Sequence, residues 1–146
     1  MTDVIYSING PVVTVRDTKS FEMAEMVYVG VKRLVGEVIG VTDRATTIQV
    51  YEVTTGLRVG EPVTGSGSPL SALLGPGILG NIFDGIERPL GNIARRTGAF
   101  IPAGISVDSL DFDKPWQVTL TVKPGDRVKG GDIFATCPET LSLIHI

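Results

Sequence analysis

Apolar residues in this chain recur at a spacing of two, in short runs, and no sustained helical spacing interrupts them. Residues 4–8 and 11–15 flank Asn9-Gly10, a dipeptide suited to the tight turn of a β-hairpin. Residues 26–29 predict a further strand. Residues 34–41 are apolar and β-branched, broken by Gly36 and Gly40. Residues 46–53 alternate, with Ile48, Val50 and Glu52 on one face and Thr47, Gln49, Tyr51 and Val53 on the other. A last strand is predicted at 62–64. Six short strands within residues 1–66 are enough to close a small N-terminal β-barrel, which removes exposed strand edges. A domain of this size buries only about 60% of its unfolded surface, so it gains from neighbours.

Residues 67–100 read as a Gly/Pro-rich connector. Ser68 followed by Pro69 predicts a capped helical turn, and Asp84-Gly85 predicts a turn. From residue 101 the pattern changes again. Residues 116–122 alternate, with Trp116, Val118, Leu120 and Val122 on one face and Gln117, Thr119 and Thr121 opposite. Lys123-Pro124-Gly125-Asp126 and Lys129-Gly130-Gly131-Asp132 predict two turns between short strands. The expected class is mainly β: a closed six-stranded barrel, a connector, and an incomplete β-rich lobe over 101–140. That lobe resembles half of a lipoyl- or biotinyl-type β-sandwich, with Trp116 as a core anchor.

Composition narrows the function classes. The chain has 146 residues, 42% hydrophobic and 20% charged, with a net charge of −3, a globular balance. The charges are dispersed and form no basic stripe, so a nucleic-acid partner is not expected. No apolar run is long enough to span a bilayer, and the N-terminus lacks the apolar region of a signal peptide. Direct membrane insertion is therefore not expected. Cys137 is the only cysteine, which excludes an intrachain disulfide and fits a reducing, cytoplasmic setting. It reads as a small buried hydrophobe.

Several stretches imitate functional motifs. Gly75-Pro76-Gly77-Ile78-Leu79-Gly80 fits G-x-G-x-x-G, but a dinucleotide site needs a strand before it, a helix after it and an acid about 20 residues on. Here Pro76 has no N–H to offer a phosphate, and Arg95-Arg96-Thr97 stands where the acid belongs. Asp108, Asp111 and Asp113 cluster, but their spacing is not that of a calcium loop, and Lys114-Pro115 follows. A solvated loop is expected there, and a solvated basic pair at Arg95-Arg96. No catalytic, cofactor-binding or metal-ligating residue is assigned.

The connector is more informative as a whole. Leu74-Gly75-Pro76-Gly77, Ile82-Phe83-Asp84-Gly85-Ile86 and Arg88-Pro89-Leu90 closely resemble the segment that follows the N-terminal barrel in catalytic A subunits of vacuolar/archaeal-type (V/A-type) rotary ATPases and ATP synthases. Leu34-Val35-Gly36-Glu37-Val38-Ile39 and Gln49-Val50-Tyr51-Glu52 also match, as does Thr55-Gly56-Leu57 running into Gly60-Glu61-Pro62-Val63. Gly130-Gly131-Asp132-Ile133 and Pro138-Glu139-Thr140 resemble part of that subunit's insertion. The resemblance covers nearly all of residues 1–140. The related B subunit and the F-type β subunit share the barrel but neither the connector nor the insertion.

The resemblance implies an N-terminal part of a catalytic subunit, with a structural and assembly role. Its implied partners are the B subunits of an alternating hexameric ring and, for the whole subunit, central and peripheral stalk subunits. The implied location is cytoplasmic, peripheral to the membrane. The whole enzyme would couple ATP turnover to proton or sodium movement, using ATP and Mg2+ bound outside this segment. The family's phosphate loop is G-x-x-x-x-G-K-[ST]. The nearest run, Gly125-Asp126-Arg127-Val128-Lys129-Gly130-Gly131-Asp132, has the glycine spacing but ends in Gly131-Asp132, and Asp126 and Asp132 would repel phosphate. No ATPase activity is expected of this segment alone.

Residues 141–146, Leu-Ser-Leu-Ile-His-Ile, break the resemblance and have the look of a translated sequencing adapter. They are expected to be a non-native tail, with the chain cut inside the insertion. They hold the sole histidine, His145. Two rival readings remain. A lipoyl- or biotinyl-type carrier would need a lysine displayed at a hairpin tip, and Lys123 and Lys129 only flank turns. A small barrel binding nucleic acid would need clustered basic and aromatic residues.

Overall fold

Gly10 and Pro11 turn β1 (Ile5–Asn9), whose last residue Asn9 pairs with Val12, back into β2 (Val12–Arg16) in the computed structural model, which describes residues 3–16, 19–139 and the backbone of 143–145. β3 (Glu25–Val29), β4 (Leu34–Val41), β5 (Ala45–Val50) and β6 (Val63–Pro69) follow. All neighbours are antiparallel, in the order β1-β2-β5-β4-β3-β6. The two outer strands then meet. Val4 bridges Pro62, the Ile5 N–H donates to the Glu61 carbonyl at 2.9 Å, and the Val63 N–H donates to the Asp3 carbonyl at 2.8 Å. These bonds roll the sheet shut into the expected barrel, because they satisfy the edge groups that an open sheet would leave bare.

Alternation puts Val13, Val15, Val27, Val29, Val38, Ile48 and Val50 inside, with Phe21 closing the core. Gly36 also points inward; a Cβ there would lie 2.8 Å from the Gln49 carbonyl oxygen. The interruption read at Gly36 is thus where β4 and β5 are pinched together. Pairing shifts between Val38 and Gly40, and Ile39 is left exposed.

Two expectations for this unit are corrected. The strand predicted at 46–53 ends at Val50, and Glu52 uses its side chain rather than its backbone to hold β4. Ser68-Pro69 does not cap a helical turn, because β6 runs through both residues and Pro69 pairs with Glu25. Glu25 is 5% exposed and accepts the Gly67 N–H at 2.9 Å. An irregularity of β6 at Gly67, whose φ is +75°, presents that donor to a buried carboxylate, which would otherwise be costly.

The chain forms two compact units, Met1–Ser71 with Thr97–Ser106, and Ala72–Arg96 with Val107–Ile146. The second contains all but the last residue of α1 (Leu90–Thr97), which the sequence pattern did not predict. Pro89 precedes it, with the Asn92 and Ile93 N–H groups donating to its carbonyl. Ile93 is buried, and Arg95 and Arg96 occupy the last turn, where cations suit the helix dipole.

The strand predicted at 116–122 shrinks to β7 (Thr119–Leu120), which pairs with β8 (Ala135–Pro138); β9 (Leu143–His145) completes a sheet in the order β7-β8-β9. Val118 and Leu120 are exposed although their alternation is regular: Val118 lies outside β7, and Leu120 pairs with Ala135 but its side chain is left uncovered. Ala135 and Cys137 are buried. Of the tail expected at 141–146, residues 141, 142 and 146 lie outside the described residues, as do the side chains of 143–145.

Candidate functional site

The glycine run 75–80 is a packed loop with no phosphate cradle. The strand before it is β6, which ends at Pro69, and the next helix is α1 at Leu90. The Gly77 N–H, the group a phosphate would need, donates to Glu139 Oε1 at 2.8 Å. Asn81 Nδ2 donates to the Gly77 carbonyl at 2.7 Å. Gly77 has φ +101°, and a Cβ on it would stand 3.3 Å from the Trp116 ring. The glycine is required by backbone conformation and by the close approach of the indole. Trp116 is therefore half-buried against this loop, rather than the core anchor of a sheet, and Lys114 Nζ stands 4.0 Å from its ring centroid.

The run 125–132 fails the same test. Asp126 Oδ2 accepts the Lys123 N–H at 2.8 Å, and Asp132 Oδ2 accepts the Lys129 N–H at 2.8 Å. Each aspartate closes its own four-residue turn, with Gly125 and Gly131 at the third position as a type II turn needs. These carboxylates occupy the Lys123 and Lys129 amides, and their charge opposes phosphate. The residues present do not fit a nucleotide's phosphates. The same geometry places Lys123 and Lys129 at the start of each turn, not at a displayed tip.

The Arg95-Arg96 pair and the Asp108, Asp111 and Asp113 cluster, separate in the sequence, line one cleft of about 490 Å³ together with Asn92 and Phe112. Arg95 donates to Asn92 Oδ1, and Asp111 Oδ1 accepts the Asp113 N–H at 3.1 Å. Mixed charge suits neither an anion nor a cation. Among the described residues no group of three His, Cys, Asp or Glu could hold a metal ion. Cys137 is fully buried and so is closed to solution reagents.

What local reading missed is the work of the carboxylates. Glu25 accepts the Glu22 and Gly67 N–H groups, Glu52 those of Val35 and Gly104, and Glu61 those of Val31 and Arg58. Asp84 accepts those of Ile86 and Arg88 on one oxygen and the Arg88 Nε on the other. Partial burial alone would raise the Asp84 carboxyl. The Arg88 N–H and guanidinium and the Ile86 N–H outweigh it and hold the carboxyl below its ordinary value. Tyr51 donates its phenol to Glu37. That hydrogen bond, then burial, then the carboxylate charge raise the phenol. These side chains hold backbone segments in place.

Comparison with known proteins agrees with this architecture. Residues 5–67 match the ATP synthase alpha/beta family, beta-barrel domain, and residues 107–146 match the ATPsynthase alpha/beta subunit barrel-sandwich domain. Relatives include the V-type ATP synthase alpha chain of Halothermothrix orenii, 55% identical over 97% of this chain and 24% of its own. The catalytic A subunit of the Neurospora crassa V-type proton ATPase is 50% identical over 94% of this chain and 23% of its own. The A subunit of the Methanosarcina barkeri A-type ATP synthase is 46% identical over 97% of this chain and 24% of its own. The chain thus spans about a quarter of the length of these relatives.

Proposed function

Because the chain belongs to the ATP synthase alpha/beta family, we propose that it is the N-terminal, structural part of a catalytic A subunit of a V/A-type rotary ATPase or ATP synthase. The observation that carries this reading is the pairing, in one chain and in order, of a barrel match with a barrel-sandwich match. Its task is assembly. The barrel brings its two outer strands together at Val4 and Pro62, and its partners are the B subunits of an alternating ring. Stalk subunits contact the whole subunit.

ATP and Mg2+ belong to the part of the subunit outside these residues, and with them the turnover that drives proton or sodium movement. Membership of such a complex would hold this segment in the cytoplasm, peripheral to the membrane. Among the described residues no helix is long and apolar enough to cross one. A carrier role is disfavoured by the turn positions of Lys123 and Lys129.

The test is co-expression of the 146-residue chain with the B subunit of a related complex, followed by size-exclusion chromatography and an ATP turnover assay. A mixed complex with B, and no turnover by the chain alone, is expected. Turnover by the purified chain, or failure to associate with B, overturns the reading.

A further inference from the structure

We propose that residues 97–106 form a strap locked onto the barrel by Glu52, so that the chain leaves the barrel after β6 and is tied back to it before it continues. The strap belongs to the barrel unit although the excursion 72–96 separates it in sequence.

The lock is a single carboxylate. Past Val50 the backbone of β5 departs from β4, and the Tyr51 N–H makes one further bond to the Val35 carbonyl at 2.9 Å. The next donor, the Val35 N–H, is taken by Glu52 Oε1 at 3.2 Å. The other oxygen, Oε2, accepts the Gly104 N–H at 2.9 Å. One side chain thus joins β4, the end of β5 and the strap. Both bonds have an ionised acceptor, which makes them stronger than neutral ones.

The strap is also shaped to fit. Gly104 has φ +71°, and a Cβ there would stand 1.8 Å from the Lys32 carbonyl oxygen. Only glycine lets the strap lie against the β3–β4 turn. Two local bonds fold it: the Ile105 N–H to the Pro102 carbonyl at 3.3 Å, and Thr97 Oγ1 to the Phe100 carbonyl at 2.9 Å.

Both ends of the excursion 72–96 are therefore anchored on the barrel. A pull on the chain beyond Ser106 is borne by Glu52 and the barrel, and does not run through the connector. Releasing the strap frees roughly 35 Å of extended chain. The strap is a latch that keeps this length closed.

Amide hydrogen exchange by NMR on the intact 146-residue chain tests the latch. Gly104 is expected to be protected in the wild type. Glu52→Ala should lower protection at Gly104 and Ile105 by about ten- to a hundredfold. Gly104→Ala should lower it across the strap through the clash with Lys32. Val13, Val27 and Ile48 should keep their protection in both. Glu52→Gln, which retains one acceptor, should fall between, and it reads the same amide should Glu52→Ala unfold the barrel. An unprotected Gly104 in the wild type, or unchanged protection in the Glu52 variants, overturns the proposal.

Discussion

Arg88 Nε lies 2.7 Å from Asp84 Oδ2, while Asp84 Oδ1 accepts the backbone N–H groups of Ile86 and Arg88. One aspartate thus fixes the turn that leads through Pro89 into α1. Its folded carboxyl is held below the ordinary value of 3.8. A depressed carboxyl contributes stability that is complete above the unfolded value and is lost as pH falls through the folded one.

Asp84→Asn keeps an accepting oxygen but loses the charge opposite Arg88, so it should destabilise the turn by roughly 1 kcal/mol at neutral pH. The gap between wild type and variant should stay constant from pH 7 down to about 4 and close only below that. Exchange rates of the Leu90 and Ile93 amides across pH check it. A gap that does not change down to pH 2 would rule out the assigned role of the charge.

Gly36→Ala tests the pinch between β4 and β5. The added methyl would meet the Gln49 carbonyl oxygen at 2.8 Å and Ile48 Cγ2 at 3.0 Å. Backbone must move to admit it, so a loss of about 1–3 kcal/mol is expected, as for overpacked cores. Urea unfolding followed by the near-ultraviolet signal would measure it. An unchanged midpoint would mean that the strands can part freely there.

The barrel was legible because its signals are local. The Asn9-Gly10 dipeptide marks the hairpin, although Gly10 and Pro11 make the turn, and the alternation through Val13, Val15, Ile48 and Val50 needs only one apolar side to be read. Where the pattern failed, the deciding partner was distant in sequence. Ser68-Pro69 has the local chemistry of a helix start, yet Glu25 captures the Gly67 N–H and pairs with Pro69, which keeps both residues in β6. Residues 116–122 alternate well, yet only Thr119 and Leu120 find strand partners in Thr136 and Ala135. Ala24, Arg33 and Glu87 have positive φ, which no residue preference announces. The shared cleft of Arg95, Arg96 and the aspartates is likewise a product of chain path, not of spacing.

The Tyr51 phenol should titrate above its ordinary value, because the neighbouring Glu37 carboxylate accepts its proton in a hydrogen bond and repels the phenolate. Glu37→Gln removes the charge and should bring the titration down toward an ordinary tyrosine. NMR titration of the ring signals separates Tyr51 from Tyr6 and Tyr28. A Tyr51 that titrates identically in both proteins would show that the contact is not maintained in solution.

Protection along the chain should be uneven. In the barrel, Val13, Val27, Val38 and Ile48 are wholly buried on strands paired on both sides. In residues 107–134 the sole strand is two residues long, and Val118, Leu120, Val128, Ile133 and Phe134 are exposed. Few buried apolar contacts and few paired amides mean a low free energy of local opening. Amides of the barrel strands should therefore exchange at least a hundredfold more slowly than those of 110–118 and 121–134, on the order of a 3 kcal/mol difference in opening. Burial of the exposed apolar residues by B or by a longer stretch of the same subunit would raise protection in the second region selectively. Equal protection in both regions of the chain alone would mean that 107–134 packs on its own.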